Sequence, residues 1–336
     1  MSQNYIINYT TINSVSQFIL LVGIMKLIRI LRIREAGIIL ALVAIAGFTA
    51  SLNPQFISGY NLQLLSRQIA IFGILAIGEM FVIITAGVDL APGSIVAMTC
   101  ILTAWFMTHG LGIIGSIMMT LVISAIIGIS HGLFVSKLRI PPFIITLCTF
   151  LIARGIGGAI TKGWPIINLP PIVSLFWGGD ILKIPIPVII LIVIVGISVF
   201  ILRFSPLGRH IYAVGGNIEA ARLSGIDVDK TRIIVYTISS ILAGIVGLLH
   251  TAWLEQGNVN VGQFYELYAI AATVIGGTSL FGGVGTILGT IIGASILSTI
   301  WNSMLLLEVS AYWQNVVLGI VIITAITFDT LRKRGN

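Results

Sequence analysis

The feature that most constrains this chain is a series of continuous apolar runs that recurs along most of its length. A helix of about 20 apolar residues is long enough to cross the hydrocarbon core of a bilayer. A membrane β-barrel would instead show segments of about 10 residues in which polar and apolar side chains alternate. The runs therefore predict an all-α fold, a polytopic bundle of helices in membrane lipid.

About ten such spans can be counted, each with ends that are predicted to within a few residues. They lie near 36–52, 63–84, 92–109, 112–135, 141–161, 184–203, 232–254, 267–281, 285–306 and 310–330. Residues 1–35 form a separate N-terminal segment, in which the stretch 15–31 is typical of an interfacial helix or, alternatively, of an eleventh span. A membrane domain, 36–331, and a short tail, 332–336, follow it.

The basic residues predict the orientation of the bundle. The formal charge of +7 is spread over several short connections, a pattern that does not favour a nucleic-acid surface. With ten spans, the 18 Lys and Arg side chains of the sequence all fall on one face apart from four, which are Arg67, Arg154, Lys162 and Lys183. Because basic residues concentrate in cytoplasmic loops, that face is predicted to be cytoplasmic, with both termini on it.

Two segments interrupt the apolar pattern in corresponding places. Residues 84–94 read ITAGVDLAPGS, and residues 275–285 read IGGTSLFGGVG. Irregular backbone at membrane depth is tolerated where protein or a water-filled cavity surrounds it, and paired interruptions indicate a transport site. The corresponding positions could result from an internal duplication of the sequence. Because the flanking sequences match only loosely, two interruptions without a common origin are the alternative.

The loop 205–232, the longest predicted cytoplasmic connection, contains the signals of a short helix. Asn217 suits the N-cap, Glu219 lies in the first turn, and Gly225 can adopt the left-handed conformation that ends a helix. These signals predict a helix over 218–224. An isolated helix this short is marginal in water, so either a partner protein or the chain's own bundle must hold it.

The spacing of Glu219, Ala220, Ala221 and Gly225 resembles the EAA loop of ABC importer permeases. The longer string GRHIYAVGGNIEAARLSGI is similar to the form found in permeases of the ribose, xylose, galactose and autoinducer-2 type. Segments 81–94, 139–155 and 265–289 resemble the same family, and the likeness extends over about residues 60–331. One departure is that Ala86 and Ala91-Pro92 stand where the family usually has Gly and Ser-Val, which affects the expected geometry of that loop.

The resemblance implies an assembly in a bacterial cytoplasmic membrane. Its membrane part is a homodimer of this chain or a pair of this chain with a second permease. Two cytoplasmic ABC ATPase subunits and an extracytoplasmic sugar-binding protein complete it. The helix 218–224 would couple ATP-driven closure of the ATPase dimer to switching of the pore. The coupling residues it implies are Arg209, Gly215, Gly216, Asn217, Glu219, Ala220, Ala221 and Gly225.

Several polar residues and one aromatic residue, in the spans and in the interrupted segments, are candidates for the translocation path. They are Glu79, Asp89, Ser94, Thr146, Phe150, Arg154, Thr278 and Ser279. An ionisable side chain within a span is costly and usually faces protein or water. Three candidates have an alternative interpretation: Glu79 as a helix-packing carboxyl, Asp89 as an N-cap before Pro92, and Arg154 as a side chain that extends to the lipid headgroups.

The loop between the seventh and eighth spans is polar and could receive the binding protein. Its candidate docking residues are Glu255, Asn258, Asn260 and Glu266. The alternative is that these residues are polar because surface loops generally are.

No nucleotide-binding or catalytic motif is present in the sequence. The nearest approach to a P-loop, 225–231, has Asp229 where the second Gly is required. We therefore predict a non-enzymatic chain without a cofactor of its own, with ATP and Mg²⁺ bound by partner subunits. The alternative functions are a proton-coupled secondary sugar transporter, with Glu79 and Asp89 as titrating groups, and an autoinducer-2 importer permease.

Overall fold

The computed structural model describes residues 36–174, 179–181 and 183–334, and the predicted N-terminal segment lies outside them. Helices account for most of the described residues. They are α1 (Ala36–Leu52), α2 (Gly59–Ile84), α3 (Pro92–Thr108), α4 (Gly112–Ser136), α5 (Pro142–Thr161), α6 (Ile186–Phe204), α7 (Pro206–Gly216), α8 (Ile218–Leu223), α9 (Val228–Leu254), α10 (Tyr265–Ile275), α11 (Ile287–Leu306) and α12 (Ala311–Arg334). A 3-10 turn (Pro54–Ile57) precedes α2, and two short antiparallel strands, β1 (Asp180–Ile181) and β2 (Ile184–Pro185), precede α6.

The predicted helical membrane bundle is confirmed. In the described part of the chain, seven helices are long and apolar enough to cross a membrane, namely α2, α4, α5, α6, α9, α11 and α12. Shorter apolar helices α1, α3 and α10 occupy the other predicted spans, so the count of ten stays a prediction. Helix α10 is shorter than the predicted span 267–281 because the glycine pair Gly276-Gly277 follows it, and Gly277 has a φ of 88°.

Helix α2 lies at the centre of the bundle. Every residue from Ala70 to Ile84 is buried, and the helix packs against α6, α9, α10 and α11. Helices α5, α6 and α12 lie outside it and expose large apolar side chains such as Leu151, Phe200 and Ile323. A lipid-facing exterior and a core of small and apolar residues are expected of a membrane bundle.

Glycines bring the central helices into backbone contact. A Cβ atom on Gly132 of α4 would lie 2.3 Å from the Cα atom of Ile233 in α9. On α11, a Cβ atom on Gly293 would lie 2.0 Å from the carbonyl oxygen of Ala272 in α10. The sequence spacing Gly285, Gly289, Gly293 predicts a helix-packing face, and the structure confirms it for Gly289 and Gly293 of α11, whereas Gly285 precedes that helix.

Candidate functional site

The loop helix α8 forms where the sequence predicts it. The Asn217 side-chain oxygen accepts a hydrogen bond from the Ala220 backbone N–H at 3.0 Å, as an N-cap does. Gly225 ends the segment with a φ of 80°. Helix α7, which precedes it, was not predicted, because its glycines weaken the helical signal; Ser205 caps it, with Pro206 in its first turn.

The two faces of α8 have different surroundings. Ala221 is buried against Val214 and Val228, so it packs on the chain's own bundle, and its predicted contact with an ATPase is wrong. On the other face Glu219 and Leu223 are exposed, Leu223 to 88%. The remaining predicted coupling residues on the solvent side are Arg209, Gly216, Asn217, Ala220 and Gly225.

The end of α7 touches both interrupted segments. A Cβ atom on Gly215 would lie 1.7 Å from the carbonyl oxygen of Ile84 and 2.5 Å from the backbone nitrogen of Gly283. Those two groups are themselves joined, because the Gly283 N–H donates to the Ile84 carbonyl at 2.9 Å. We call Ile84, Gly215 and Gly283 the backbone junction. It places the loop in direct contact with both interruptions.

Asp89 fixes the first interrupted segment within the bundle. Its Oδ1 atom accepts from the Ala91 N–H at 2.9 Å, and its Oδ2 atom accepts from the Ser239 hydroxyl of α9 at 2.9 Å. The N-cap interpretation of Asp89 is wrong, because α3 begins at Pro92 and Ala91 occupies the N-cap. Asp89 therefore connects α9 to the segment that precedes α3.

Two further carboxyl groups surround this segment. Glu79 of α2 accepts the Asp89 N–H through Oε1 at 3.1 Å, and its Oε2 has no partner among the described residues. The carboxyl of Glu266 in α10 lies over Gly93, where an added Cβ would be 2.0 Å from Oε2. Glu266 is only 6% exposed, so its prediction as a docking residue is wrong. Ser94 is also buried, and its hydroxyl donates to the Ala91 carbonyl at 2.8 Å.

The candidate residues Thr146, Phe150 and Arg154 lie on α5, which packs against α3 and, through Arg154, contacts the loop 255–264. Arg154 donates to the carbonyl oxygens of Val259 and Gly262, both at 3.0 Å, so the interpretation that it extends to headgroups is wrong. Its guanidinium lies 5.4 Å from the ring centroid of Phe150. Thr146 is buried and donates to the Pro142 carbonyl in its own helix. Arg154 thus fixes the loop 255–264.

Thr278 and Ser279 lie in the second interrupted segment. Ser279 donates to Asp329 of α12 at 3.3 Å, and the Leu280 N–H donates to the same carboxylate at 3.1 Å. Thr278 is buried, and its hydroxyl has no partner in the described part of the molecule. These contacts attach the segment to α12, whereas a role in the path stays a prediction for all eight candidates.

A pocket of about 410 Å³ lies at the end of the bundle opposite α8. Sequence reasoning missed it, since aromatic residues near span ends are ordinarily interpreted as an interfacial belt. Its lining combines aromatic rings with side-chain amides and apolar groups: Leu64, Gln68, Ile71, Phe72, Trp253, Gln263, Phe264, Tyr265, Tyr268, Trp301, Asn302, Leu305, Ala311, Gln314 and Asn315. We call it the outer pocket.

A second cavity, of about 360 Å³, lies beside α8 and is lined by charged residues. They include Glu219, Arg222, Asp229 and Arg232. Nearby, Lys137 in the loop after α4 pairs with Asp229 at 3.0 Å, and this hydrogen bond, with the charge of Asp229, raises the pKa of Lys137. The pair connects the loop after α4 to the first turn of α9 on the α8 side of the bundle.

Comparison with known proteins gives consistent matches. Residues 61–326 match the family described as "Branched-chain amino acid transport system / permease component". The chain is 38% identical to the ribose import permease protein RbsC of Bacillus subtilis, over 90% of this chain and 94% of that protein. It is 33% identical to the xylose transport system permease protein XylH of Haemophilus influenzae, over 87% of this chain and 94% of that protein. No solved structure matches significantly.

Proposed function

We propose, on the basis that this chain belongs to the permease family described as "Branched-chain amino acid transport system / permease component", that it is the membrane subunit of an ATP-driven monosaccharide importer. The ribose and xylose permeases to which it is similar over most of its length support a sugar as the cargo. Its partners are two ATPase subunits, which bind ATP and Mg²⁺, an extracytoplasmic sugar-binding protein and a second permease subunit. The chain itself carries out no catalytic step.

The observation that carries this proposal is the solvent face of α8. A secondary transporter has no need of a capped loop helix that leaves Glu219 and Leu223 in solvent. Helix α8 packs on the bundle through the buried Ala221, and Gly225 in the left-handed conformation follows it. Its exposed face is therefore fixed in position. A fixed face of about two turns suits insertion into a cleft of a partner protein.

The backbone junction gives this docking face a route to the membrane segments. Helix α7 joins α8 directly, and its Gly215 is in contact with the carbonyl of Ile84. A displacement of α8 by ATPase closure would therefore push on the end of α2 and, through the Gly283 hydrogen bond, on the second interruption. Rigid contacts of this kind transmit a displacement because packed backbones cannot compress.

The outer loop 255–264 is our proposed docking surface for the binding protein. Glu255 and Asn260 are exposed there, and Asn258 is half-buried. Arg154 holds the loop through Val259 and Gly262, which keeps its shape fixed for a partner. Preorganised loops lose less entropy when they bind.

The decisive experiment compares native protein with Glu219→Arg in vesicles that contain the ATPase and the binding protein. We expect the variant to lose ATP-dependent ribose or xylose uptake and to lose co-purification of the ATPase, because a positive charge replaces a negative one on the docking face. A matched control is Glu308→Arg, at an exposed glutamate at the opposite end of the bundle, which should leave ATPase co-purification unchanged.

Two results would overturn the proposal. One is native uptake that persists without any ATPase and follows a proton gradient, as a secondary transporter requires. The other is an ATPase that co-purifies equally with native protein and with the Glu219→Arg variant.

A further inference from the structure

We propose that the outer pocket is a monosaccharide-binding site of the permease itself. This inference rests on the proposed function of sugar import and adds to it that the membrane subunit recognises the sugar directly. The volume of about 410 Å³ lies in the range of small-molecule pockets, roughly 300–1,000 Å³. Its position at the ends of α9 and α11 farthest from α8 places it on the predicted side of sugar entry.

The uncharged lining of the outer pocket favours a neutral ligand. None of the described residues that line the outer pocket is charged. An amino acid, the cargo named in the family description, carries a carboxylate and an ammonium group, and burying either group without a charged partner is costly. A sugar has no charge to compensate. The pocket therefore favours a polyhydroxylated neutral molecule over a zwitterion.

The polar groups in the lining match sugar hydroxyls. The Gln68 and Asn315 side-chain amides make no hydrogen bond within the described part of the chain, so they are available to a ligand. Asn302 is different, because it exchanges hydrogen bonds with Asn61 at 2.8 and 3.0 Å and is held in place by them. An amide both donates and accepts, as a hydroxyl does.

Aromatic rings supply the apolar surface and the floor. Trp253 and Trp301 contribute walls on which the C–H face of a sugar ring can pack. Below them Phe72 and Tyr268 stack with ring centroids 4.7 Å apart and an angle of 9° between their planes. Tyr265 meets Phe72 edge-on, with centroids 5.1 Å apart. Together these rings close the outer pocket toward the core. A bound sugar could therefore move past them only after the bundle rearranges.

The test is sugar binding to the purified permease in lipid nanodiscs, without ATPase or binding protein, followed by tryptophan fluorescence. We expect a saturable change with ribose or xylose and none with leucine. Gln68→Leu, which keeps the side-chain volume, and Trp301→Ala should each weaken binding at least about tenfold, since a ligand contact is lost. Trp164→Ala, at a tryptophan that is 78% exposed and outside the pocket, should bind like native protein.

The outcomes separate this inference from the proposed function. If the isolated permease gives no sugar-dependent signal while the complete importer takes up ribose, the pocket proposal fails and the importer stands. If the complete system transports no monosaccharide from a panel of pentoses and hexoses, the proposed function fails. A signal that follows the lipid or detergent added, instead of the sugar, would identify an acyl chain as the occupant and overturn the inference. Thermal unfolding of each variant confirms that it is folded.

Discussion

At the scale of single residues, buried polar groups around Asp89 that are adjacent in the chain contribute differently to the free energy of unfolding. Ser239 donates to the Asp89 carboxyl at 2.9 Å, whereas the hydroxyl of the next residue, Ser240, is buried without a partner among the described residues. A buried hydrogen bond to a carboxyl stabilises a fold, while an unpaired buried hydroxyl costs free energy. The two serines therefore form a natural pair of test and control.

We predict that Ser239→Ala lowers the free energy of unfolding by about 1–3 kcal/mol, because the Asp89 oxygen is left without its donor. Ser240→Ala should leave stability unchanged or raise it, since it removes an unpaired polar atom. The measurement is the thermal unfolding midpoint of each purified variant. Equal shifts for the two serines would contradict the assigned role of the Ser239–Asp89 bond.

Ala86 illustrates how a departure from the family pattern acts on the backbone. Its φ is 58°, in the left-handed region, where an L-residue with a Cβ atom costs roughly 1–2 kcal/mol and glycine does not. The usual glycine of the family would meet this conformation without strain. The chain keeps the loop geometry because Ala86 and Gly87 are held by hydrogen bonds to the carbonyls of Ile83 and Val82.

At the scale of elements, the backbone junction makes Gly215 and Gly216 unequal. A Cβ atom on Gly215 would overlap the Ile84 carbonyl, whereas one on Gly216 meets no described atom within 4 Å. We predict that Gly215→Ala lowers the thermal unfolding midpoint, as overpacking does at a cost of about 1–3 kcal/mol, and lowers ATP-dependent uptake. ATPase co-purification should persist, because the exposed face of α8 is unchanged.

Gly216→Ala is the control for this prediction. It should retain more uptake than Gly215→Ala and show an unchanged or slightly higher unfolding midpoint, because its Cβ meets no described atom and Ala favours a helix over Gly by up to about 1 kcal/mol. If both alanine variants transport equally well, the junction does not transmit the motion of α8.

The elements also show which features could be predicted from sequence. Both ends of α8 were predictable because the residues that mark them, Asn217 at the start and Gly225 after the end, act on backbone within a few residues of themselves. The positions of Asp89 and Arg154 were not, because their partners lie on other elements far along the chain: Ser239 for the first and the Val259 carbonyl for the second. The outer pocket was missed for the same reason, since its lining comes from several helices that only tertiary packing brings together.

At the scale of the whole molecule, two of the four basic residues that depart from the charge rule, Arg67 and Arg154, have local partners. Arg67 pairs with Asp180 in β1, and Arg154 is bound to loop carbonyls, so neither is a free charge on the predicted outer side. Basic residues set the orientation of a bundle where they are concentrated in short loops next to the spans. The predicted orientation thus depends on the clusters in the loops on the α8 side.

That orientation can be measured with two cysteine substitutions on either side of α9. Leu223→Cys lies on α8, Asn260→Cys lies in the outer loop, and α9 is the only helix between them in the described part of the chain. In a background with Cys148→Ser, the remaining Cys100 is fully buried and should stay unlabelled. A membrane-impermeant maleimide should label Asn260→Cys in right-side-out vesicles and Leu223→Cys only in inside-out vesicles, because the reagent cannot cross the bilayer. Labelling of both from one side would exclude α9 as a span, and labelling in the reverse order would place α8 outside the cell and remove it from the reach of a cytoplasmic ATPase.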